Sequence, residues 1–313
     1  MRAVVLGGTG AIGGAVSLRL ATSGWDVDIT GRNPRSMPQE LSDAGVRFHQ
    51  IDRADIGAIG ALVGSGADLL VDVVAYRASD VRALLPVMRL IASPVLISTR
   101  AVYVDPQGRH INGDERPHFT GPISEKSPTL PPAADGVDPF IREGYARSKV
   151  AAERVALDSG MPVSVIRPSK VHGKWARNAR TRAFVDGMLR GDRVITLGGG
   201  ESIDHLTAAE NTAALIETLA HAPAPRIVNS ADPDTPTAEE IVHVIAERLG
   251  WEGELQMIPS DSPADDGANP WQQSHPIVLD TSVSRQLGYL PVGSARELLP
   301  REIDWVAQRV ILD

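Results

Sequence analysis

Arg2-Ala-Val-Val-Leu6-Gly7-Gly8-Thr9-Gly10-Ala11-Ile12-Gly13-Gly14 is the stretch that decides the fold of this chain. An apolar, β-branched run stops at Gly7, and an apolar periodic segment follows the last glycines, so the order predicts a buried strand, a tight turn and a helix. Gly7, Gly10 and Gly13 are spaced three residues apart. Glycines at this spacing let the turn close, let a diphosphate approach the backbone and let the helix pack on the strand. A turn without a ligand would need only one of them. We therefore expect dinucleotide binding, with these cofactor-binding residues: Gly7, Thr9, Gly10, Ala11, Ile12 and Gly13.

Length and composition indicate a globular protein with a sizeable core. The chain has 313 residues, 42% of them hydrophobic and 22% charged, which suits one large domain with a smaller lobe. A net charge of −8 argues against nucleic acid or an anionic membrane as the main partner. No apolar run reaches the roughly 18 residues of a membrane helix, and because a strand pattern begins at once we expect no signal peptide.

The chain contains no cysteine. This excludes disulfides, thiolate metal sites and a cysteine nucleophile, and it fits a reducing compartment, so we expect a cytoplasmic protein. The eight histidines show no metal-ligand spacing, and we predict no metal site.

Strand patterns alternate with helical patterns along the first half of the chain. This alternation predicts an α/β fold with a doubly wound parallel sheet, the Rossmann arrangement, and a smaller C-terminal α/β lobe for the substrate. We assign residues 1–170 to the dinucleotide-binding domain, with 201–230 returning to it. Residues 171–200 and 231–313 form the predicted substrate lobe.

Several local patterns carry their own predictions. Pro86 lies inside a helical pattern over 80–91 and predicts a kink or break near Leu84. Thr207 and Thr237 each precede a glutamate by three residues, which predicts two capping boxes. A last helix is expected after Pro300. Two polar segments, 105–139 and 261–276, are predicted to be loops near the substrate, the first a partly mobile flap.

The end of the second strand indicates which cofactor binds. A carboxylate there would bind the ribose hydroxyls of NAD, whereas arginine suits the 2′-phosphate of NADP. This chain has Arg32 and Arg35 and no carboxylate, so NADP(H) is favoured over NAD(H), the alternative being a solvated basic loop. Asp52 and Arg53 follow the third strand and could meet the adenine. Ala75 ends the fourth strand with a small side chain that lets a ligand approach.

Two further patterns indicate proton chemistry. Tyr145 and Lys149 are four residues apart on a predicted helix, so both lie on one face. A nearby ammonium group would lower the pKa of the phenol and make it a usable proton donor or acceptor, although such a pair also occurs on ordinary surface helices. Ser98 and Thr99 follow a buried strand, where a hydroxyl can either donate to a substrate oxygen or simply cap the strand.

Together these motifs resemble the extended short-chain dehydrogenases/reductases, the NAD(P)-dependent epimerase/dehydratase type, over nearly the whole chain. The resemblance implies a triad of Thr99, Tyr145 and Lys149, with Thr99 matching the hydroxyl position better than Ser98. It also implies that Lys149 holds the nicotinamide ribose, that the backbone after Pro168 meets the carboxamide, and that the protein dimerises through the helix bearing Tyr145. The matching stretches are Gly7 to Gly13, Asp52, Ser98-Thr-x-x-Val-Tyr103, Tyr145-x-x-x-Lys149 and Arg167-Pro168-x-x-Val171-x-Gly173.

The chain departs from relatives that act on nucleotide sugars. Asp204 stands where those proteins have an arginine that grips the diphosphate, and a carboxylate there would repel it. Lys170-Val171-His172 replaces their usual Asn-Val-Tyr, and the 105–139 segment is longer than usual. The basic segment 170–182 could hold a phosphate elsewhere or be a solvated loop.

Three hypotheses follow, each with a small molecule as the partner. The favoured one is an NADP(H)-dependent oxidoreductase that moves hydride to or from a small, non-nucleotide carbonyl or alcohol through Thr99, Tyr145 and Lys149. The alternative is an epimerase or dehydratase of a sugar or nucleotide sugar, with a transient keto intermediate. The third is a non-catalytic dinucleotide sensor.

Overall fold

The computed structural model describes residues 1–258 and 267–312. Strands and helices alternate through most of this part of the chain. The strands are β1 (Arg2–Leu6), β2 (Asp26–Gly31), β3 (Arg47–Gln50), β4 (Ala67–Asp72), β5 (Ile91–Ile97), β6 (Ser164–Pro168), β7 (Lys170–His172), β8 (Val194–Gly198), β9 (Leu206–Ala208), β10 (Arg226–Ser230) and β11 (Glu254–Ile258). The helices are α1 (Ala11–Thr22), α2 (Gln39–Asp43), α3 (Ile56–Val63), α4 (Ala78–Met88), α5 (Arg142–Leu157), α6 (Arg182–Arg190), α7 (Ala209–Ala220), α8 (Ala238–Leu249), α9 (Ser282–Gln286) and α10 (Ala295–Leu312).

The central sheet has seven parallel strands in the order β10-β6-β5-β4-β1-β2-β3. This confirms the predicted doubly wound α/β fold. The strand order reverses between β1 and β4, and Leu6 at the end of β1 pairs with both Thr30 and Asp72. Ligands of open α/β sheets bind outside the carboxyl ends of the strands at such a reversal.

Both faces of the sheet are covered by helices. Val5 points into a core that contains Val16 of α1 and Leu215 of α7. Its neighbour Val4 points the opposite way, into a core with Ile59 of α3. Because successive strand residues face opposite sides, β1 is apolar at every position from Ala3 to Leu6, as a strand buried on both faces must be.

A second core lies beyond the central sheet. It packs α6, α8 and α10 around the buried Trp271, beside the two-stranded pair of β8 and β11. β10 rejoins the central sheet next to β6. The assignment of these parts to separate cofactor and substrate domains stays a prediction, and residues 261–266 of the predicted 261–276 loop lie outside the described residues.

Three of the local predictions need correction, those for Thr207, for the last helix and for Pro86, and one is confirmed. Thr207 does not cap a helix: it lies in β9, accepts a hydrogen bond from the Ser169 amide (3.0 Å) and donates one to the Ser230 carbonyl (2.7 Å). Pairing of β9 with β7 therefore overrides the local pattern. Thr237 does form the predicted capping box with Glu240, with hydrogen bonds of 3.2 and 2.8 Å. The last helix begins at Ala295 and contains Pro300, rather than following it.

The helix with Pro86 runs on to Met88, so the chain does not break near Leu84. In the portion of the chain described, we find no helix with both the length and the apolar character needed to span a membrane.

Candidate active site

A cavity of about 700 Å³ opens at the carboxyl ends of the central strands. The glycine-rich turn forms one wall, and the ends of β5, β6 and α5 form the others. Ile111 and Asn112 of the 105–139 segment also reach it. The residues predicted from sequence that line this cavity are Gly7, Gly10, Ala11, Ile12, Thr99, Tyr145, Lys149, Pro168 and Val171.

Gly7, Gly10 and Gly13 of the turn have three different surroundings. Gly7 has a φ of +86°, which favours glycine. A Cβ on Gly13 would lie 2.3 Å from the Gly7 carbonyl oxygen, because α1 packs directly on the turn. Gly10 lines the cavity, and a Cβ there would meet nothing within 4 Å. Gly10 also precedes α1 without a side-chain cap, which leaves the first N–H groups of the helix for an anion. The turn thus fits a dinucleotide diphosphate.

Gly13→Ala and Gly10→Ala should separate packing from ligand approach. We expect Gly13→Ala to lower the free energy of unfolding by about 1–3 kcal/mol, the cost of overpacking. Gly10→Ala should leave the melting temperature unchanged, because its φ of −97° suits alanine, but weaken cofactor binding about tenfold. Thermal melts and fluorescence titrations with NADPH and NADH would measure both effects. Equal losses of stability in the two variants would contradict this assignment.

Thr99, Tyr145 and Lys149 meet at one side of the cavity. Thr99 follows β5 and accepts a hydrogen bond from the Ala101 amide (3.1 Å), so it caps a 3₁₀ turn while also facing the cavity. Its side chain also hydrogen-bonds with Tyr145. The neighbouring Ser98 is buried, and its hydroxyl donates to the Glu153 carboxylate. Of the two hydroxyls, that of Thr99 is the one placed against Tyr145.

The pKa of Tyr145 is raised rather than lowered, and the Lys149 ammonium is bound to two backbone carbonyls. This ammonium donates to the carbonyls of Ala75 (2.7 Å) and Ile97 (2.9 Å), which turns it towards the strand ends. Burial lowers the pKa of Lys149 to about 8, against the raising effect of Asp72 and other carboxylates. Burial raises the pKa of Tyr145, and the hydrogen bond with Thr99 opposes that rise.

A second cavity extends from the glycine turn along the ends of β2 and β3. It is lined by Thr9, Arg32, Asp52 and Arg53, among others. Arg32 is exposed there and, among the described residues, makes no side-chain hydrogen bond or ion pair. Arg35 lines an adjoining cavity instead.

Two of the predicted cofactor-binding residues also have partners within the protein. The Arg53 guanidinium pairs with the buried Asp72 (2.6 Å) and donates to the Asp80 carbonyl (2.9 Å), so it ties β4 to α4 while it also lines the adenosine cavity. The Ala75 side chain is buried in the core, and only its carbonyl points towards the site, where it accepts from Lys149.

Several lining residues escaped the sequence analysis. Tyr76 borders both cavities, with its ring centroid 5.0 Å from Lys149 Nζ and 6.5 Å from the ring of Tyr145. Its position directly after Ala75 at a strand end was the available signal. Arg100 also lines the larger cavity, and its position directly after Thr99, just past the end of β5, was the same kind of signal. Asn178 and Gln273 also line the larger cavity, and the sequence analysis indicated only their segments, 170–182 and 261–276, rather than the residues themselves.

Asp204 does not repel anions as its position predicts. It is fully buried and forms ion pairs with Arg100 and Lys170, while Gln273 donates to it (3.1 Å). These cations hold the pKa of Asp204 below its usual value, against the raising effect of burial. Asp204 therefore acts as an internal counter-ion. Within residues 1–258 and 267–312, no three His, Cys, Asp or Glu side chains are grouped as metal ligands would be.

The long 105–139 segment is tied down at its start. The fully buried Asp105 side chain accepts hydrogen bonds from the amides of Gln107, Arg109 and His118, each 2.9 Å long. These bonds hold the pKa of Asp105 near 2, although burial alone would raise it. The segment thereby brings Ile111 and Asn112 to the cavity.

Solved structures with the same architecture cover almost the entire chain. One is UDP-glucuronic acid 4-epimerase from Bacillus cereus, in complex with UDP-glucuronic acid and NAD, at 16% identity, a TM-score of 0.72, and coverage of 99% of this chain and 100% of that chain. Another is dTDP-glucose 4,6-dehydratase from Bacillus anthracis in complex with NAD, at 15% identity, a TM-score of 0.73, and coverage of 98% and 97%. At these identities the likeness establishes the fold.

A putative epimerase from Burkholderia cenocepacia is also similar, at 21% identity, a TM-score of 0.73 and coverage of 98% of both chains. Among curated proteins, none matches this sequence. The family model of the NAD dependent epimerase/dehydratase family matches residues 3–231, which is most of the chain. The chain therefore belongs to the NAD-dependent epimerase/dehydratase family, enzymes of the extended short-chain dehydrogenase/reductase type.

Proposed function

We propose that this enzyme is an epimerase or dehydratase that oxidises a hydroxyl carbon of a sugar-type substrate to a keto group and later returns the hydride to the sugar, either to the same carbon (epimerase) or to a neighbouring carbon after loss of water (dehydratase). The observation that carries the proposal is the meeting of Thr99, Tyr145 and Lys149 in a cavity shared with the glycine-rich turn. The family, and solved relatives bound to NAD and UDP-glucuronic acid, support this function over the net oxidoreductase that the sequence favoured. The neutralised Asp204 removes one objection to an anionic sugar substrate.

The proposed mechanism assigns one task to each residue. The nicotinamide, when bound, supplies the acceptor and donor of hydride. Tyr145 takes the proton from the substrate hydroxyl during the oxidation and, in an epimerase, returns it when the keto group is reduced. Thr99 holds the same substrate oxygen by a hydrogen bond. Lys149, anchored on the carbonyls of Ala75 and Ile97, has a third N–H left for the nicotinamide ribose.

Gly7, Gly10, Ala11 and Ile12 would hold the cofactor diphosphate, with Thr9 beside them and Gly13 as the packing glycine. Pro168 and Val171 border the nicotinamide side of the cavity. Asp52 lines the adenosine side together with Arg32.

The proposed function is tested by following product and cofactor together. The protein is incubated with catalytic NAD⁺ or NADP⁺ and UDP-glucose, UDP-glucuronic acid or dTDP-glucose, with sugars observed by NMR and reduced cofactor by absorbance. We expect a converted sugar without accumulation of reduced cofactor. Reduced cofactor formed in step with product would instead identify a net oxidoreductase.

We further propose that the cofactor is NADP(H), although the solved relatives named above hold NAD. The support is the exposed Arg32 at the adenosine cavity, where the end of β2 carries no carboxylate. Arg32→Ala should weaken NADPH binding about 10- to 100-fold, the loss of a charge-assisted hydrogen bond, and leave NADH binding unchanged. Arg89→Ala, at the end of α4 and the opposite edge of the sheet, is the matched control. Equal affinity of the wild type for both cofactors would contradict the preference.

A further inference from the structure

Positive charge dominates the main cavity. Of the described residues that line it, five are cationic and none is a carboxylate. Lys149 belongs to the proposed catalytic group, and Arg177 is exposed to solvent. The remaining three form what we call the basic cluster: Arg100, Lys170 and Arg180.

The basic cluster is only partly neutralised by the protein. Arg100 and Lys170, with side chains 5% and 12% exposed, share the single carboxylate of Asp204 behind the cavity wall. Arg180 is half-buried and donates to the Val171 carbonyl (3.2 Å), and no carboxylate among the described residues lies within ion-pair distance of it. Among the described residues, these three buried or half-buried cations therefore have one directly paired carboxylate, Asp204, and Glu302 adds only an attraction on Arg180 from beyond ion-pair distance.

This imbalance has an energetic consequence. Burial lowers the pKa of Lys170 to about 8 despite the neighbouring Asp204, and burial also lowers the pKa of Arg180. Both residues feel the charge of Arg100 as a further lowering influence. A cation in this state gains from a second anion, and Arg180 has guanidinium N–H groups left after its one hydrogen bond with Val171.

The cluster lies on the substrate side of the site. Arg100 directly follows Thr99, which is hydrogen-bonded with Tyr145, while the diphosphate of a dinucleotide belongs to the glycine-rich turn at the start of α1. Since the turn and the basic cluster line one cavity, cofactor titrations on Arg180 variants distinguish an anion on the cluster from the cofactor phosphates.

We propose that the basic cluster binds an oxyanion of the substrate, a carboxylate or a phosphate, with Arg180 making the direct contact and Arg100 and Lys170 supplying the field behind it. This inference rests on the proposed function, since it takes the cavity as the substrate site. It adds that the substrate carries negative charge close to the carbon that reacts, and that neutral sugars and alcohols bind weakly.

The test measures anion binding without turnover. Protein saturated with its cofactor is titrated with inorganic phosphate and with succinate at constant ionic strength, by calorimetry and by thermal shift. We expect both probes to bind the wild type, and Arg180→Met to weaken them about 10- to 100-fold. Arg180→Lys keeps the charge but loses the planar guanidinium group. Its affinity for both probes should therefore lie between that of the wild type and that of Arg180→Met. Arg193→Met, an exposed arginine of the same lobe, should bind like the wild type.

The outcomes are separable from those of the proposed function. NADPH and NADH affinities are measured on the same variants and should be unchanged in Arg180→Met. A parallel loss of cofactor affinity would mean that the cluster binds the cofactor phosphates, and equal probe binding by wild type and Arg180→Met would mean that Arg180 binds no anion. Either result overturns the inference. A failure of sugar conversion, by contrast, bears only on the proposed function.

Discussion

Tyr145→Phe is expected to lower kcat by about 10²- to 10⁴-fold, the usual contribution of a positioned general acid or base. The substitution removes only the hydroxyl, which the hydrogen bond with Thr99 holds at the cavity wall. The ring remains in contact with Tyr76, so the cavity keeps its shape. Cofactor affinity and melting temperature should therefore equal those of the wild type. Steady-state kinetics with the converted sugar, with cofactor titrations beside them, would measure the effect.

Tyr289→Phe is the matched control for this result. Tyr289 is buried in the core under α1 and α7, and its hydroxyl makes no hydrogen bond within the described part of the chain. Removing it should leave kcat unchanged and stability equal or slightly higher, since a buried hydroxyl without a partner costs free energy. If Tyr145→Phe lost no more activity than Tyr289→Phe, Tyr145 would not transfer the proton in the reaction. That result would favour the hypothesis of a non-catalytic dinucleotide sensor.

The sequence predicted the parts of the fold that local patterns encode. The strand, turn and helix around Gly7 to Gly13 could be predicted because each glycine acts within the turn itself or against its nearest neighbours. The capping box at Thr237 was equally local, since both of its hydrogen bonds close within four residues. The apparent box at Thr207 failed because β7 and β9, distant in the chain, pair there.

The site was harder to predict because its charges are paired over long distances. Arg53 follows a strand end just as a ligand-binding residue would, yet Asp72 holds it. Asp204 was interpreted from its position alone as a repelling charge, since nothing nearby in the sequence reveals its pairing with Arg100 and Lys170. Spacing correctly placed Tyr145 and Lys149 on one face of α5, but it could not show that Lys149 bonds to the ends of two other strands.

A buried ion pair beneath the site provides the largest expected change in stability. Glu153 of α5 and Arg167 of β6, both almost fully buried, are joined by two hydrogen bonds of 2.6 and 3.0 Å. Glu153 also accepts from Ser98, and Arg167 lies 4.8 Å from the Tyr103 ring centroid. Glu153 thus fixes the residue that precedes Thr99.

Glu153→Gln should lower the free energy of unfolding by about 3–5 kcal/mol, because it leaves the Arg167 charge buried without its counter-ion. Asp304→Asn, which breaks the exposed pair with Arg248 of similar geometry, should cost less than about 1 kcal/mol. Urea denaturation would measure the free energy of unfolding of both variants and of the wild type. The double variant Glu153→Met with Arg167→Met should recover most of the loss, since removing both charges removes the unpaired one. Recovery of stability without recovery of kcat would show that the pair positions Thr99 through Ser98, whereas a loss as small as that of Asp304→Asn would mean that water reaches Arg167.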